Sequence, residues 1–441
     1  MTFGDLWREL EPLGRDPQTG GYRRYSWTPA DAACRAWFTG QAEQRGLTVE
    51  PDNNGNLWAW WGQARTDAIM TGSHLDSVPD GGGFDGALGV VTALAAVDRL
   101  KEQNFYPERP VVLAAFTEEE GARFGVPCLG SRLLTGAIEP QAARQLTDAA
   151  GVTLAEAMTA AGLDAGRIGP RDDLLGAVGA FVELHVEQGR ALAPLGAAVG
   201  VAEGIWPHGR WRLDFCGRAD HAGTARFADR RDPMLPYAAT VLAARQAAER
   251  ASALATFGKV IAEPGGSNGV PSAVRAWLDA RAPDEDTLRD TVTKVRIAAE
   301  EFSAEHDVTL TVRQESYTPV VRFDAGLRDR IAATLAAAGL PPPVLPTGAG
   351  HDAGVLAARL PTAMLFVRNP TGISHSPAEH ADLADCDAGV RALAAVLQDL
   401  AGPAGFPSPA RRCPARPVRP ADDRPALARR PGLAPGPGLG P

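Results

Sequence analysis

Cysteine is scarce in this 441-residue chain, and its five copies, Cys34, Cys128, Cys216, Cys386 and Cys413, are scattered. They form no C-x-x-C pair and are odd in number, so no disulfide framework is expected. A reducing cytoplasm is the location this usage predicts. Long apolar runs are also missing: no stretch of about eighteen apolar residues occurs, which excludes a readable membrane-spanning helix. The first residues, Met1-Thr2-Phe3-Gly4-Asp5, carry neither the basic nor the apolar region of a signal peptide. Positive charge is not in excess. A net charge of −9 and a pI near 5.5 give no reason to expect nucleic acid as a partner. A small anionic substrate would need a local cationic patch against that background. With 45% hydrophobic and 22% charged residues, the chain can bury a substantial core and divide into more than one domain.

The apolar pattern predicts an alternation of strands and helices. Residues 31–46 have helical periodicity, 56–61 and 68–71 read as strands, 86–100 as a buried helix, and 111–116 as a second buried strand. Strand, loop, helix, strand is the mark of an α/β unit with a mostly parallel sheet, where ligands collect beyond the carboxyl ends of the strands. After Gly209 the order becomes strand, helix, strand, strand, helix, strand, which predicts a smaller α+β, ferredoxin-like domain inserted into the larger one. The expected boundaries are 1–208 and 321–402 for the α/β domain and 209–320 for the insert. From Pro403 to Pro441 the chain is rich in Pro, Arg, Ala and Gly, and a solvated, disordered tail is expected there.

Chemistry concentrates at the predicted strand ends. Gly72-Ser73-His74-Leu75-Asp76 runs into Gly81-Gly82-Gly83-Phe84-Asp85-Gly86, bringing an imidazole and carboxylates together on a sharply turning segment. Such groups are costly to assemble unless a cation neutralises them. A nitrogen and oxygen donor set without cysteine suits zinc, manganese, cobalt or nickel. Alone, the H-x-D pair fits a surface turn equally well. Glu118-Glu119-Glu120 follows an apolar strand, where adjacent carboxylates repel one another unless cations are present or a helix dipole favours them. His185 lies in Phe181–Gly189, whose alternation places Glu183, His185 and Glu187 on one strand face. His375 occupies the turn Gly372-Ile373-Ser374-His375-Ser376-Pro377 beyond the apolar run 362–367.

Together with Ala219–Thr224, Ser267–Arg281 and Gly348–Ala353, these stretches resemble, in order and spacing, the metal-dependent amidohydrolases related to the M20 peptidases. Within them the chain is similar to the branch of N-carbamoyl-L-amino acid hydrolases, allantoate amidohydrolases and β-ureidopropionase, over about residues 20–400. The resemblance implies two divalent ions per subunit (Zn, Mn, Co or Ni). Asp85 would bridge them, with His74 and His185 completing one site and Glu120 and His375 the other. It implies that Asp76 supports the His74 ring, that Glu119 is the general base, and that His221 donates to the developing oxyanion. Asn268 and Arg281 would bind the substrate carboxylate, since a guanidinium grips a carboxylate through two parallel hydrogen bonds. Gln188 would be a further substrate contact. His351 and Asp352 match a family loop and receive no role. Ala225-Arg226 stands where Thr-Pro is common, and Thr347 where serine is frequent.

The activity implied is hydrolysis of a ureido C–N bond in a small carboxylate, releasing ammonia and carbon dioxide. Allantoate is favoured on the Cys128–Gly136 stretch, and N-carbamoyl-L-amino acids on Gly83–Gly86. An M20 aminoacylase or dipeptidase fits less of the sequence, and a metal-free binding protein on this scaffold would have lost ligands that are all present here. The resemblance also implies a homodimer formed through the inserted domain.

Overall fold

The computed structural model describes residues 1–62 and 65–403. The tail expected from Pro403 lies, from residue 404 onward, outside the described residues.

Four neighbouring parallel strands form the centre of the main sheet: Val111–Phe116, Ala68–His74, Val178–Val186 and Thr362–Val367. The flanks are antiparallel. Leu57–Trp61 and then Thr48–Pro51 extend one side, and Val199–Ile205 with Val321–Arg322 extends the other. Val344–Thr347 returns parallel to Val199–Ile205. The four central parallel strands are buried along their whole length, as expected for strands covered on both faces.

Side-chain alternation sends residues to two cores. Ile69, Leu113, Val182, Leu184 and Leu365 face the helices Phe3–Leu10, Ala87–Glu102 and Leu383–Ala401. Met70, Val112, Phe116, Phe181 and Met364 face the opposite layer with Trp58 and Trp60. Each fully buried aliphatic or aromatic side chain contributes about 1.5–3 kcal/mol. The strands thus form a stiff base from which polar residues at their ends can project.

A second sheet of four antiparallel strands runs in the order Thr309–Thr318, His208–Cys216, Ala273–Arg281, Leu254–Glu263. The helices Met234–Arg250 and Glu285–Glu305 cover it and share a separate core with Leu213, Phe215, Val274 and Leu278. Strand order and helix placement follow the alternation expected after Gly209.

Three local expectations change. The strand expected at 68–71 continues through His74, because Ser73 and His74 pair with Ala115 and Phe116. The alternating run expected over Phe181–Gly189 is buried on both faces, and it ends at Val186. Glu187 therefore leaves the face it was expected to share with His185, and its carboxylate accepts the backbone N–H of Ala191 and Leu192. Finally, Val199–Ile205 and Val344–Thr347 are strands that sequence pattern does not reveal, being short and interrupted by glycine or proline.

Candidate metal centre

The parallel strands end side by side, and their last residues or following loops carry the candidate ligands. His74 closes one strand, His185 lies one residue from the end of its neighbour, and Glu118–Glu120 follow Phe116. His375 lies in the loop after Val367, and Asp85 lies in the loop before the helix Ala87–Glu102. Parallel order brings the strand ends together, and the loops carrying Asp85 and His375 complete the group.

Asp85 is the hub. Its Oδ1 lies 3.1 Å from His185 Nε2 and 3.5 Å from His74 Nε2, while its Oδ2 lies 3.3 Å from His375 Nε2. His375 Nε2 is also 3.6 Å from Glu120 Oε2. Two triads result, His74–Asp85–His185 and Asp85–Glu120–His375, and within each the donor atoms lie within 4.8 Å of one another. The first is buried, whereas His375 is exposed at the rim.

The surroundings prepare nitrogen lone pairs for a cation. His74 Nδ1 faces the Asp76 carbonyl at 3.1 Å, which holds the ring proton on Nδ1 and leaves a lone pair on Nε2. That Nε2 and Glu120 Oε1 are buried without a hydrogen-bond partner. His185 Nδ1 is fixed in the same way by the Val186 carbonyl at 2.9 Å, and its Nε2 also receives the Gly86 N–H at 3.1 Å. Buried atoms of this kind are expensive to leave unsatisfied. A harder oxygen and nitrogen set around a shared carboxylate suits divalent ions.

Electrostatics tell the same story. Burial opposes charge on His74, but Glu119, Asp76 and Asp85 outweigh it and hold the ring well above its ordinary value. His185 is pushed up to about 9: burial opposes charge there too, and Asp85 overcomes it. Burial is likewise unfavourable for Asp85, yet His185, His375 and His74 keep its carboxyl well below the usual range. Burial pushes Glu119 up to about 8, reinforced by Glu120, Asp76 and Asp85. Glu120 also rises to about 8, through burial and then Asp85. In the absence of an ion, protons on the histidines and on Glu119 and Glu120 offset the crowded carboxylates, and a cation at the centre would take over that role.

Glu119 stands at the edge of the centre, with Oε2 3.7 Å from His74 Nε2. Its other oxygen accepts the Cys128 thiol at 3.2 Å. Asp76 was expected to orient His74; its carboxylate lies 3.5 Å from Nδ1, but its hydrogen bonds go elsewhere. Asp76 Oδ1 and Oδ2 accept the N–H groups of Glu119 and Glu120 at 3.1 Å each, fixing the loop that carries both acids. Glu118 is not part of a helix start. It adopts a left-handed backbone, and its carboxylate turns away to accept the N–H of Arg123 and Phe124.

Gln188 reaches the cluster: its Nε2 donates to Asp85 Oδ2 at 2.8 Å and lies 3.3 Å from His375 Nε2. The insert residues do not. His221 is exposed in a two-residue ladder with Gly269–Val270, its Nδ1 accepting the Gly223 N–H. Asn268 is brought beside it, its carbonyl accepting the Ala222 N–H. Arg281 is held by two bonds to Asp279 and one to the Gly348 carbonyl. No hydrogen bond or ion pair joins these three to the cluster among the described residues.

Sequence reasoning missed several supports. Glu183 is fully buried behind His185, accepting Ser73 Oγ and the Ala353 N–H at 2.8 Å each. The His351 ring packs against His185 with centroids 4.5 Å apart, and its buried Nε2 has no partner. Asp352 accepts Ser131 Oγ. Glu379 accepts the N–H groups of Phe84 and Asp85. The motif containing His351 and Asp352 was visible in the sequence, but nothing local told which strand end it would support.

Comparison with known proteins follows the same lines. The sequence profile of peptidase family M20/M25/M40 matches residues 70–399. The chain is 37% identical to an N-carbamoyl-L-amino acid amidohydrolase of Geobacillus stearothermophilus, over 90% of this chain and 98% of that protein. It is 34% identical to the allantoate amidohydrolase of Escherichia coli, over 89% and 96%. Its fold is similar to the crystal structure of a hydantoinase/carbamoylase family amidase from Burkholderia ambifaria, with a TM-score of 0.79, 31% identity and coverage of 91% and 98%.

Proposed function

Since this chain belongs to peptidase family M20/M25/M40, we propose that it is a metal-dependent amidohydrolase that cleaves the ureido C–N bond of a small carboxylate. The observation that carries this reading is the division of Asp85, one oxygen facing His74 and His185 and the other facing His375. Two divalent ions would be held by His74, Asp85 and His185 and by Asp85, Glu120 and His375; when bound, they supply Lewis acidity toward water and the scissile carbonyl.

The chain's own residues then account for proton movement and orientation. Glu119 Oε2 takes a proton from the attacking water and delivers it to the departing nitrogen. Its position beside His74 suits both halves of that transfer. The C–N bond breaks as the nitrogen is protonated and ammonia leaves; the N-carboxylate that remains then loses carbon dioxide as its own C–N bond breaks, giving the free amine. Asp76, through the two backbone N–H groups, keeps Glu119 and Glu120 aimed. Gln188 contacts substrate from the Asp85 side. His221 donates to the oxyanion that develops on the ureido carbonyl. Asn268 and Arg281 grip the substrate carboxylate. A guanidinium has five N–H donors, and the bonds to Asp279 and Gly348 use three, so both terminal nitrogens of Arg281 keep a donor for it.

A homodimer through the insert belongs to the same proposal. The strand Leu254–Glu263 forms one edge of the insert sheet and exposes Leu254, Val260 and Ile261. The adjacent helix Met234–Arg250 exposes Leu235 and Leu242, which lie on one face two turns apart. An edge of this kind pairs readily with another chain.

Ammonia release from allantoate, N-carbamoyl-L-methionine and N-carbamoyl-β-alanine, with added manganese or zinc, tests the reading. Turnover of at least one ureido acid, abolished by chelator, is expected. Hydrolysis of acetylated amino acids with no ureido turnover would reject it.

A further inference from the structure

Glu379 stands behind the cluster rather than in it. Its Oε1 accepts the N–H groups of Phe84 and Asp85, both at 2.9 Å, and its Oε2 accepts Ser374 Oγ at 3.1 Å. The Ser374 hydroxyl also lies 3.4 Å from Asp85 Oδ2, the oxygen that faces His375. One buried carboxylate therefore ties the loop bearing Asp85 to the loop bearing His375. Among the described residues, no backbone hydrogen bond joins residues 81–86 to residues 370–378.

Each loop is anchored independently on its far side. Phe84 stacks on Trp7 with ring centroids 4.4 Å apart. Asn369 holds the other loop by accepting the N–H of Thr371 and Gly372 and donating to the Ile373 carbonyl. What remains to be set is the separation between the loops: Gln188 Nε2 touches both at the cluster, reaching Asp85 Oδ2 and Ser374 Oγ, and Glu379 spans them from behind through the backbone of Phe84 and Asp85. The fit is close: a Cβ on Gly82 would come within 2.4 Å of Glu379 Cβ and Oε1.

We propose that Glu379 is the positioning residue of the second ion site. It sets the separation of Asp85 Oδ2 and His375 Nε2, and so controls chiefly the affinity for the ion held by Asp85, Glu120 and His375; the His74–Asp85–His185 triad shares Asp85 but takes its other two ligands from sheet strands, and is affected less. This rests on the two-ion reading above. The asymmetry follows from connectivity: His74 and His185 sit on strands locked in the sheet core, whereas His375 depends on a loop. Metal sites tolerate ligand displacements of only about 0.2 Å. Loss of a partner that orients a ligand typically weakens binding about 10–100-fold.

The test is manganese binding to the full-length protein, with stoichiometry from equilibrium dialysis and the spin-coupled signal of an ion pair from electron paramagnetic resonance. Wild type should bind two ions. Glu379→Ala should keep the first and weaken the second about 10–100-fold, replacing the coupled signal by that of an isolated ion. Gly82→Ala, which displaces Glu379 without altering its chemistry, should act in the same direction, as should Ser374→Ala to a smaller extent. Glu379→Gln keeps an acceptor for the two N–H groups and should retain most of the affinity. Both ions bound normally by Glu379→Ala, or both weakened equally, would overturn the inference. If that variant fails to fold, an unchanged second ion in both Ser374→Ala and Gly82→Ala does so instead. Wild type binding fewer than two ions would reject the two-ion reading itself, and the inference with it.

Discussion

Gly86→Ala is the sharpest single perturbation of the centre. Gly86 has φ +65° and ψ −51°, and the Ala87 N–H closes back on the Asp85 carbonyl at 2.7 Å, a tight three-residue turn. This turn is strained for any residue with a Cβ, and occupying it costs about 1–3 kcal/mol. The added methyl would also lie 2.4 Å from Cε1 and Nε2 of the His74 ring. Carbon contacts settle at about 3.5–4.0 Å, so the ring or the turn must retreat by roughly 1 Å. His74 is 1% exposed and its Nδ1 is tied to Asp76, so little space exists for that movement. Overpacking of this kind adds about 1–3 kcal/mol. The combined cost of about 2–6 kcal/mol is below the stability of most domains, about 5–15 kcal/mol. The variant should therefore fold, with a lowered melting temperature. Its ion site should not survive, because the displacement is several times the roughly 0.2 Å that ligands tolerate. Metal content by atomic emission and affinity by calorimetry check this, and the first site should weaken by more than about 100-fold. Gly46→Ala is the control: it has φ +66° with open space around its Cβ, so it should cost stability and leave ion binding intact. Gly86→Ala binding two ions at wild-type affinity would refute the reasoning.

Three further outcomes are expected. Glu119→Gln should retain both ions while kcat for ammonia release falls about 10²–10⁴-fold, the usual range for general acid–base catalysis; unchanged kcat would remove Glu119 from the proton path. In chelator-treated protein, burial pushes Glu118 up to about 7 and Glu119 and Glu120 to about 8. Unfolded carboxyls of this type titrate near ~4.3, so between those limits the folded chain holds protons that the unfolded chain has lost. Stability should then fall as pH rises from about 5 to about 8, and added divalent ion should reduce that slope; melting temperatures that rise over this window without metal would contradict it. Leu242→Asp on the exposed face of Met234–Arg250 should shift sedimentation from dimer to monomer without unfolding the chain, and an unaltered sedimentation coefficient would place any self-association elsewhere.

Much of the centre was legible in the sequence because ligand chemistry is local in residue type. His74, Asp85, Glu120, His185 and His375 stand at strand ends or in turns, and apolar runs such as Val111–Phe116 mark those ends clearly. The insert was legible for the same reason, since its strands alternate cleanly and its helices are long. The supporting groups were not. Glu187 shares the parity of His185, yet the strand stops at Val186 and turns Glu187 to a helix start. Asp76 was expected to serve the His74 ring; its carbonyl faces that ring, and its carboxylate also holds the backbone of Glu119 and Glu120, which local pattern did not show. Glu379 meets Asp85 across 294 positions, a pairing that no local pattern encodes.

By itself, the order of residues determined which side chains could bind a cation and where strands would deliver them, because donor chemistry and hydrophobic period are properties of short segments. Tertiary structure alone decided that Arg281 would be shared with Asp279 and Gly348, that Gln188 would reach Asp85 Oδ2, and that Glu379 would hold the backbone of Asp85. Those outcomes depend on distances between segments, set by how buried strands pack side by side, and a linear pattern carries no measure of them.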